Sequence, residues 1–386
     1  EQLIEFVLTR DDITVKDVAY AGMLDNETGY IRLTRFSKNS GPEMRSAILN
    51  LQHDNASRFI IDLRDNPGGL LQSAIEILDM LIPKGELLLS TKGRMPEANK
   101  RYIARKTPII EDDVKIAILI NEGSASASEI ISGTIQDLDR GVIVGTPSFG
   151  KGLVQSVYGL DSSGKRSLKV TTAKYYVPSG RLIQKPGYID DKLVIRDEKE
   201  DSVFVTVGGR KVKGEGGITP DYEVVMPKST PLLLECWRKG LFFSFAQEWQ
   251  HKYDSYEDAL IDLDLMADFK VFIDAHEVDV TTEGEKQFQE ARTKITALDS
   301  TNMDLILAFD FVETFIIDRE ATLFEAEKDD LRRRLLLELV GIMQGTEFRV
   351  AESIKDDPVV IKAKEILQDP VAYSGLFQPK DNDQSF

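Results

Sequence analysis

Two stretches of the chain share one local plan. In RFIIDLRDNPGGLLQSAIEILDMLIP (58–83) and KIAILINEGSASASEIISGTIQDL (115–138), a short unbroken apolar run enters a turn of small and polar residues. A longer run with apolar residues at helical spacing follows. The first part of each fits a short buried strand and the last part a helix. RGVIVGT (140–146) adds another buried strand. Strand, turn, helix, strand, helix, strand is the order of an α/β core. In such cores ligands sit outside the carboxyl ends of the strands. Both turns, DNPGG (65–69) and the serine-rich 123–128, fall at that edge.

The flanking segments extend this reading. LIEFVLTR (3–10), DVAYAGML (17–24) and TGYIRLTRF (28–36) read as strands, the last alternating with a polar face. GPEMRSAILNLQHDNA (41–56) has a Pro near its start and helical spacing, and predicts a helix. Residues 153–185 read as a β-ribbon, clearest at SLKVTTAKYYVPSG. Residues 186–217 are charged and Gly-rich, as expected of a surface excursion, and GITPDYEV (217–224) returns to strand. From about residue 230 glycine becomes rare and helical periodicity dominates, so 230–386 is expected to be a mostly helical extension.

Charge divides the chain in the same place. Of the net −17, residues 1–225 hold 30 Lys and Arg against 32 Asp and Glu, while 226–386 hold 18 against 33. Such a split predicts two units of different character. It also argues against nucleic acid as a partner, since phosphate binding needs basic surface. Hydrophobic residues make up 42% of the chain, which supports a sizeable core and argues against wholesale disorder. The lone cysteine, Cys236, excludes an intrachain disulfide framework and a cysteine-based metal site. No signal peptide is visible, and no apolar run reaches the roughly 18–20 residues needed to cross a bilayer. The sequence starts without Met in a strand-like segment, which leaves an upstream leader open.

The turn NEGSASASEI (121–130) holds three serines, Ser124, Ser126 and Ser128. A residue at a helix start has unpaired backbone N–H groups beside it and a field that favours developing negative charge, the requirements of an oxyanion hole. Serine is equally a favoured N-cap, and two of the three need do no more than that. A nucleophilic serine needs a base. His53 ends a polar helix, and His251 and His276 lie in the acidic tail, so all three read as surface residues. Lysine is the other base able to activate serine, provided desolvation lowers its pKa from about 10.4. Lys151 alone sits in an uncharged context, in TPSFGKGLVQSV, with no other charged residue from Val142 to Leu160. Gln155 follows four residues on, on the same side of a regular strand or helix. Its amide could hold the amine in place without ionising it. The P-loop pattern fails here, because Gly152 stands where a Ser or Thr is required. DLRDNPGG (62–69) is either an ordinary Pro-Gly turn or a source of a second oxyanion donor.

Taken together, FIIDLRDNPGGLL, ILINEGSASASEI, GTPSFGKGLVQ, TTAKYYVPSGRLIQ and GITPD resemble, in order, the C-terminal processing (tail-specific) serine proteases of peptidase family S41. The resemblance covers about residues 17–225. It implies an α/β, ClpP/crotonase-like peptidase core with a β-rich ribbon and a helical C-terminal extension. It implies Ser126 as nucleophile, Lys151 as base, Gln155 as its support, and an oxyanion hole from the N–H of Ala127 and of Gly68 or Gly69. It further implies protein substrates cleaved near accessible C-termini, an extracytoplasmic or periplasmic location, and no metal or organic cofactor. Family members carry a PDZ domain, and residues 1–16 resemble only its closing strand. The expected organisation is therefore that remnant, a core over 17–229 and the acidic extension 230–386. The same core resembles retinoid-binding modules without peptidase activity, which stand as the rival reading. For the extension, a helical cap on its own core competes with a homodimerisation unit.

Overall fold

The computed structural model describes residues 9–11, 15–161, 166–185, 188–189, 192–193, 203–214, 216–276 and 278–378. The chain divides into two compact units, Glu1–Met226 with Lys355–Phe386, and Pro227–Ile354. The strand expected over 3–10, and with it most of the PDZ-like remnant, lies outside the described residues.

The first unit begins with β1 (Val18–Met23), β2 (Thr28–Leu33), α1 (Ser40–His53), β3 (Arg58–Asp62) and α2 (Leu71–Leu81). It continues through β4 (Leu87–Gly93), β5 (Lys100–Ile103), β6 (Lys115–Ile120), α3 (Ala127–Asp137), β7 (Val142–Gly145), β8 (Leu153–Gly159) and β9 (Ser167–Tyr176). Short strands β10 (Tyr188–Ile189), β11 (Lys192–Leu193), β12 (Val203–Val205), β13 (Lys211–Lys213) and β14 (Tyr222–Glu223) follow. The main sheet runs β1-β2-β3-β6-β7-β14, antiparallel between β1 and β2 and parallel thereafter. This is the α/β core the apolar runs predict. A second sheet, β5-β4-β9-β8, is antiparallel. It contains the expected ribbon together with β4, which pairs with the distant β9, and β5, which pairs with β4 at the edge; periodicity missed both.

Phe59, Ile61, Ile116, Ile118 and Ile143 alternate with Ile60, Ala117, Leu119, Val142 and Val144, and all ten are fully buried. Alternation puts the two sets on opposite faces, so both faces of the sheet are covered. The first set packs with Met44 and Ile48 of α1, Ile77 and Leu78 of α2, and Ile131 and Ile135 of α3.

The second unit contains α4 (Pro231–Arg238), α5 (Leu241–Trp249), α6 (Tyr256–Ile261), α7 (Leu265–Asp274), α8 (Glu283–Thr296), α9 (Met303–Ala326), α10 (Lys328–Met343) and α11 (Thr346–Ser353). Its core gathers Cys236, Phe242, Phe245, Phe269 and Phe272 with Leu331, Leu335 and Leu339, the last three one helical turn apart on α10. Met303, Leu307, Phe311 and Phe315, spaced four apart on α9, remain exposed.

Residues 230–386 are mostly helical, as expected, but their helices fall in two units. Helices α12 (Pro358–Gln368) and α13 (Pro370–Leu376) belong to the first unit. α12 packs on β3, β6 and β7 and buries Val359, Val360, Ala363, Ile366 and Leu367. The physical reason is the second apolar face of the parallel sheet, which needs a cover that α1, α2 and α3 do not supply. None of the helices is long and apolar enough to cross a membrane, among the described residues.

Candidate active site

The turn after β3 and the turn after β6 are stitched together by backbone and side-chain hydrogen bonds. Ala125 N–H donates to Asn66 O at 3.0 Å. Ser128 Oγ donates to the same oxygen at 2.9 Å, and Ser124 Oγ donates to Leu63 O at 2.8 Å. Asn121 and Asp65 bind each other twice, through Asp65 N–H to Asn121 Oδ1 and Asn121 Nδ2 to Asp65 Oδ1, both at 2.8 Å. Ser124 and Ser128 are fully buried and spend their hydroxyls on this stitching. Ser126 between them is half-buried.

Ser126 caps α3 with φ +55° and ψ −107°, a left-handed value that costs a residue with a Cβ about 1–3 kcal/mol. Its surroundings hold it there. Ser126 N–H donates to Glu129 Oε2 at 2.8 Å, and Ile130 N–H donates to Ser126 O at 2.9 Å. Ala127 is the first helical residue, where N–H groups lack intrahelical acceptors and the helix field is positive.

Gly68 packs against this turn. A Cβ there would lie 2.6 Å from Ala125 O and 2.9 Å from Ser126 Cβ, and its φ is +91°. Its N–H donates to Asn66 Oδ1 at 2.9 Å. Gly69 instead lies against Phe36, where a Cβ would meet the carbonyl oxygen at 2.1 Å. The turn is anchored behind by Asp62, which is fully buried and accepts from Arg64, Arg32 and the Tyr30 hydroxyl. Burial pushes the Asp62 carboxyl up, but the Arg64 charge and hydrogen bonds outweigh it and hold it below the ordinary range. Arg64 also pairs with Asp357 at 2.8 Å.

Lys151 lies in the loop between β7 and β8 and is half-buried. Phe149 N–H donates to Ser124 O at 3.0 Å, which brings this loop onto the serine turn. Lys151 N–H donates to Glu129 Oε2 at 2.8 Å, the same oxygen that Ser126 uses. Glu129 Oε1 accepts from Gly150 N–H and Ser148 Oγ, both at 2.6 Å. Tyr175 of β9 donates its hydroxyl to Lys151 O and lies 3.1 Å from Ser126 O. The structure thus brings the main chains of Ser126 and Lys151 together. The Lys151 amine makes no ion pair with any described residue, and the Glu129 oxygens are occupied by the four donors above.

Gln155 stands apart from that arrangement. Its side chain is exposed and makes no hydrogen bond to Lys151. The register of β8 on β9 shifts between Val154 and Gln155. The residue left over there is Thr172 of β9, so β8 itself stays regular, and the same-side expectation fails because Lys151 lies in the loop before β8. The histidines lie elsewhere in the chain: His53 ends α1 with a 90% exposed side chain, and His251 and His276 belong to the helical unit. No group of three or more metal-ligating side chains occurs among the described residues.

Sequence reasoning missed Glu129 and Tyr175. A signal for the first was present, since Ser126-x-x-Glu129 has the spacing of a capping box ahead of an apolar helix. Tyr175 carried no local signal.

Comparison with known proteins follows these motifs. Residues 27–194 match the family model described as Peptidase family S41. Residues 233–367 match that of a probable PDZ-protease, C-terminal helical domain. The carboxy-terminal-processing protease of Bartonella bacilliformis is 40% identical over 217 residues, 55% of this chain and 49% of that protein. The carboxyl-terminal-processing protease of Synechocystis sp. is 38% identical over 196 residues, 49% of this chain and 44% of that protein. A solved structure titled photosystem II D1 C-terminal processing protease aligns at 26% identity with a TM-score of 0.40, over 56% of this chain and 50% of that one. The chain spans about half the length of the curated relatives it matches.

Proposed function

We propose, since this chain belongs to peptidase family S41 through residues 27–194, that it is a serine endopeptidase acting on protein substrates near their C-termini. Ser126 is the nucleophile and Lys151 the base. The observation that carries this reading is the shared Glu129 oxygen, which draws the two main chains together from separate elements.

Ser126 Oγ attacks the scissile carbonyl carbon while the Lys151 amine takes the hydroxyl proton. The negative charge that develops on the carbonyl oxygen rests on the N–H of Ala127 and of Gly68 or Gly69. The intermediate collapses to an acyl-enzyme, and the leaving amine takes its proton from Lys151. Water, deprotonated by Lys151, then releases the acyl group. The absence of an ion pair to the Lys151 amine among the described residues and the strained φ of Ser126 support these roles. Gln155 is assigned to holding the Lys151 amine through its amide oxygen, which requires its exposed side chain to turn toward that amine.

A substrate cleaved near its C-terminus is suggested by the names of the processing proteases this chain resembles, and an extracytoplasmic location is proposed with it as what the family resemblance implies. Self-association through the helical unit is supported by the exposed stripe Met303, Leu307, Phe311 and Phe315, because such faces on a two-fold axis are self-complementary. Light scattering of the whole chain tests it, and a monomer at micromolar concentration counts against it.

The test of the chemistry is digestion of an unstructured protein by the wild type, Ser126→Ala and Lys151→Ala. Loss of cleavage in both variants is expected. Undiminished proteolysis by either one removes that residue from the mechanism.

A further inference from the structure

The peptide groups of Ser126 and Lys151 share their hydrogen-bonding partners on both sides. Both N–H groups donate to Glu129 Oε2 at 2.8 Å. Both carbonyl oxygens face one hydroxyl, that of Tyr175. The two residues have no element in common, since one caps α3 and the other lies in the loop before β8. Tyr175 comes from a third element, β9. It is itself fixed to the Lys151 loop by donating its own N–H to Gly152 O at 3.0 Å.

We propose that Tyr175 is a positioning residue, which with Glu129 closes a clamp that sets the distance between Ser126 and Lys151. The inference rests on the reading of those two residues as nucleophile and base. A lysine side chain has four rotatable bonds, so its amine meets a particular hydroxyl only if its Cα is held. A proton transfer of this kind tolerates displacements of about 0.5 Å. The Glu129 side of the clamp is firm, because its fully buried carboxylate accepts from four donors: Ser126 N–H, Lys151 N–H, Gly150 N–H and the Ser148 hydroxyl. Ser148 is in turn fixed by accepting from Ile218 N–H at 2.7 Å. The Tyr175 side is a single hydroxyl facing two carbonyls. Burial and the Glu129 charge hold that hydroxyl well above its ordinary range, so it stays a donor. Phenylalanine would fill the same volume and leave both carbonyls without the donor. The clamp then opens on one side while packing persists.

Tyr175→Phe separates positioning from structure. The whole chain, wild type and variant, is reacted with a serine-directed phosphonate, and the labelling rate is normalised to the folded fraction measured by circular dichroism. Steady-state cleavage of one peptide supplies kcat and KM. Expected are a labelling rate and a kcat that fall by about 10–100-fold, with KM within about threefold of the wild type. A labelling rate per folded molecule equal to that of the wild type overturns the clamp, even if the variant melts earlier. If Tyr175→Phe does not fold, Ser148→Ala decides. It removes one donor from Glu129, and a labelling rate equal to the wild type overturns the clamp. Wild-type protein that is not labelled at Ser126 defeats the nucleophile assignment instead, so the two failures are distinguishable.

Discussion

Arg64 Nη1 lies 2.8 Å from Asp357 Oδ2, although 293 positions separate the two residues. The pair joins the N-cap of α12 to the strand end that leads into the glycine turn. Arg64 also donates to Asp62, so one buried guanidinium holds two carboxylates. Burial pushes its pKa down, but Asp62 and Asp357 more than offset this and keep the charge in place. The two carboxylates are not equivalent. Asp62→Asn leaves a buried arginine short of its main partner, and a loss of about 3–5 kcal/mol is expected. Asp357→Asn keeps an oxygen to cap Val359 and Val360, and the expected loss is about 1–2 kcal/mol. Urea denaturation ranks the two, and an equal or reversed ranking contradicts this reading.

Removal of residues 355–386 is expected to unfold the first unit or make it aggregate. Of the five side chains that α12 buries, four are large apolar groups, together worth about 6–12 kcal/mol of gross burial. That is comparable to the whole net stability of a domain, about 5–15 kcal/mol. A truncated chain with an unchanged thermal midpoint for the sheet unit would show that α12 is dispensable.

Gly68→Ala should abolish most activity while changing the fold little. The added methyl meets Ala125 O and the Ser126 side chain, at a backbone conformation unfavourable to alanine. The strain falls on the serine turn itself. Cleavage assays alongside circular dichroism check it, and wild-type kcat in this variant would place the turn outside the chemistry.

Asp25 gives a pH-dependent contribution to stability. Burial raises its pKa, but donors from Glu27 and Thr28 and the nearby Lys364 lower it from 3.8 to about 2. A carboxylate whose folded pKa is depressed stabilises the fold above its unfolded pKa, and this is lost as pH falls toward the folded one. Asp25→Asn should therefore be less stable than the wild type near neutral pH. The difference should shrink between about pH 4 and pH 2. A gap that stays constant over that window would exclude the linkage.

Cys236 should be inert in the folded protein. It is fully buried in the helical core, and burial first, then Glu327 and Glu235, push its thiol up to about 12. Thiols react as thiolates. Modification by a disulfide reagent is expected only in denaturant, and rapid reaction in buffer would contradict this packing.

The strands and helices that position the site could be read from the chain because their signals are local. Apolar runs at 58–64 and 115–121 predicted buried strands, and helical spacing marked α1, α2 and α3. β4 and β5 were not read, since the pairing of β4 with β9, on which β5 is added at the edge, has no trace in their own periodicity. Residues 358–376 were assigned to the acidic extension by composition. Composition does not report which surface a helix covers. The spacing that placed Gln155 beside Lys151 assumed one regular element over both, but Lys151 lies in the loop before β8, whose course is set by its bonds to Glu129 and Tyr175.

Sequence alone determined that Ser126 sits in a small-residue turn at the start of a helix, and that Lys151 sits in the uncharged, glycine-flanked stretch. Both follow from neighbours within a few positions, where turn chemistry and periodicity operate. Only the tertiary structure decided that these two main chains meet. It does so through Glu129, 22 positions from Lys151, and Tyr175, 49 positions from Ser126. Hydrogen bonds across such separations depend on which elements pack together, and that is settled by burial of the whole sheet, including the face closed by α12.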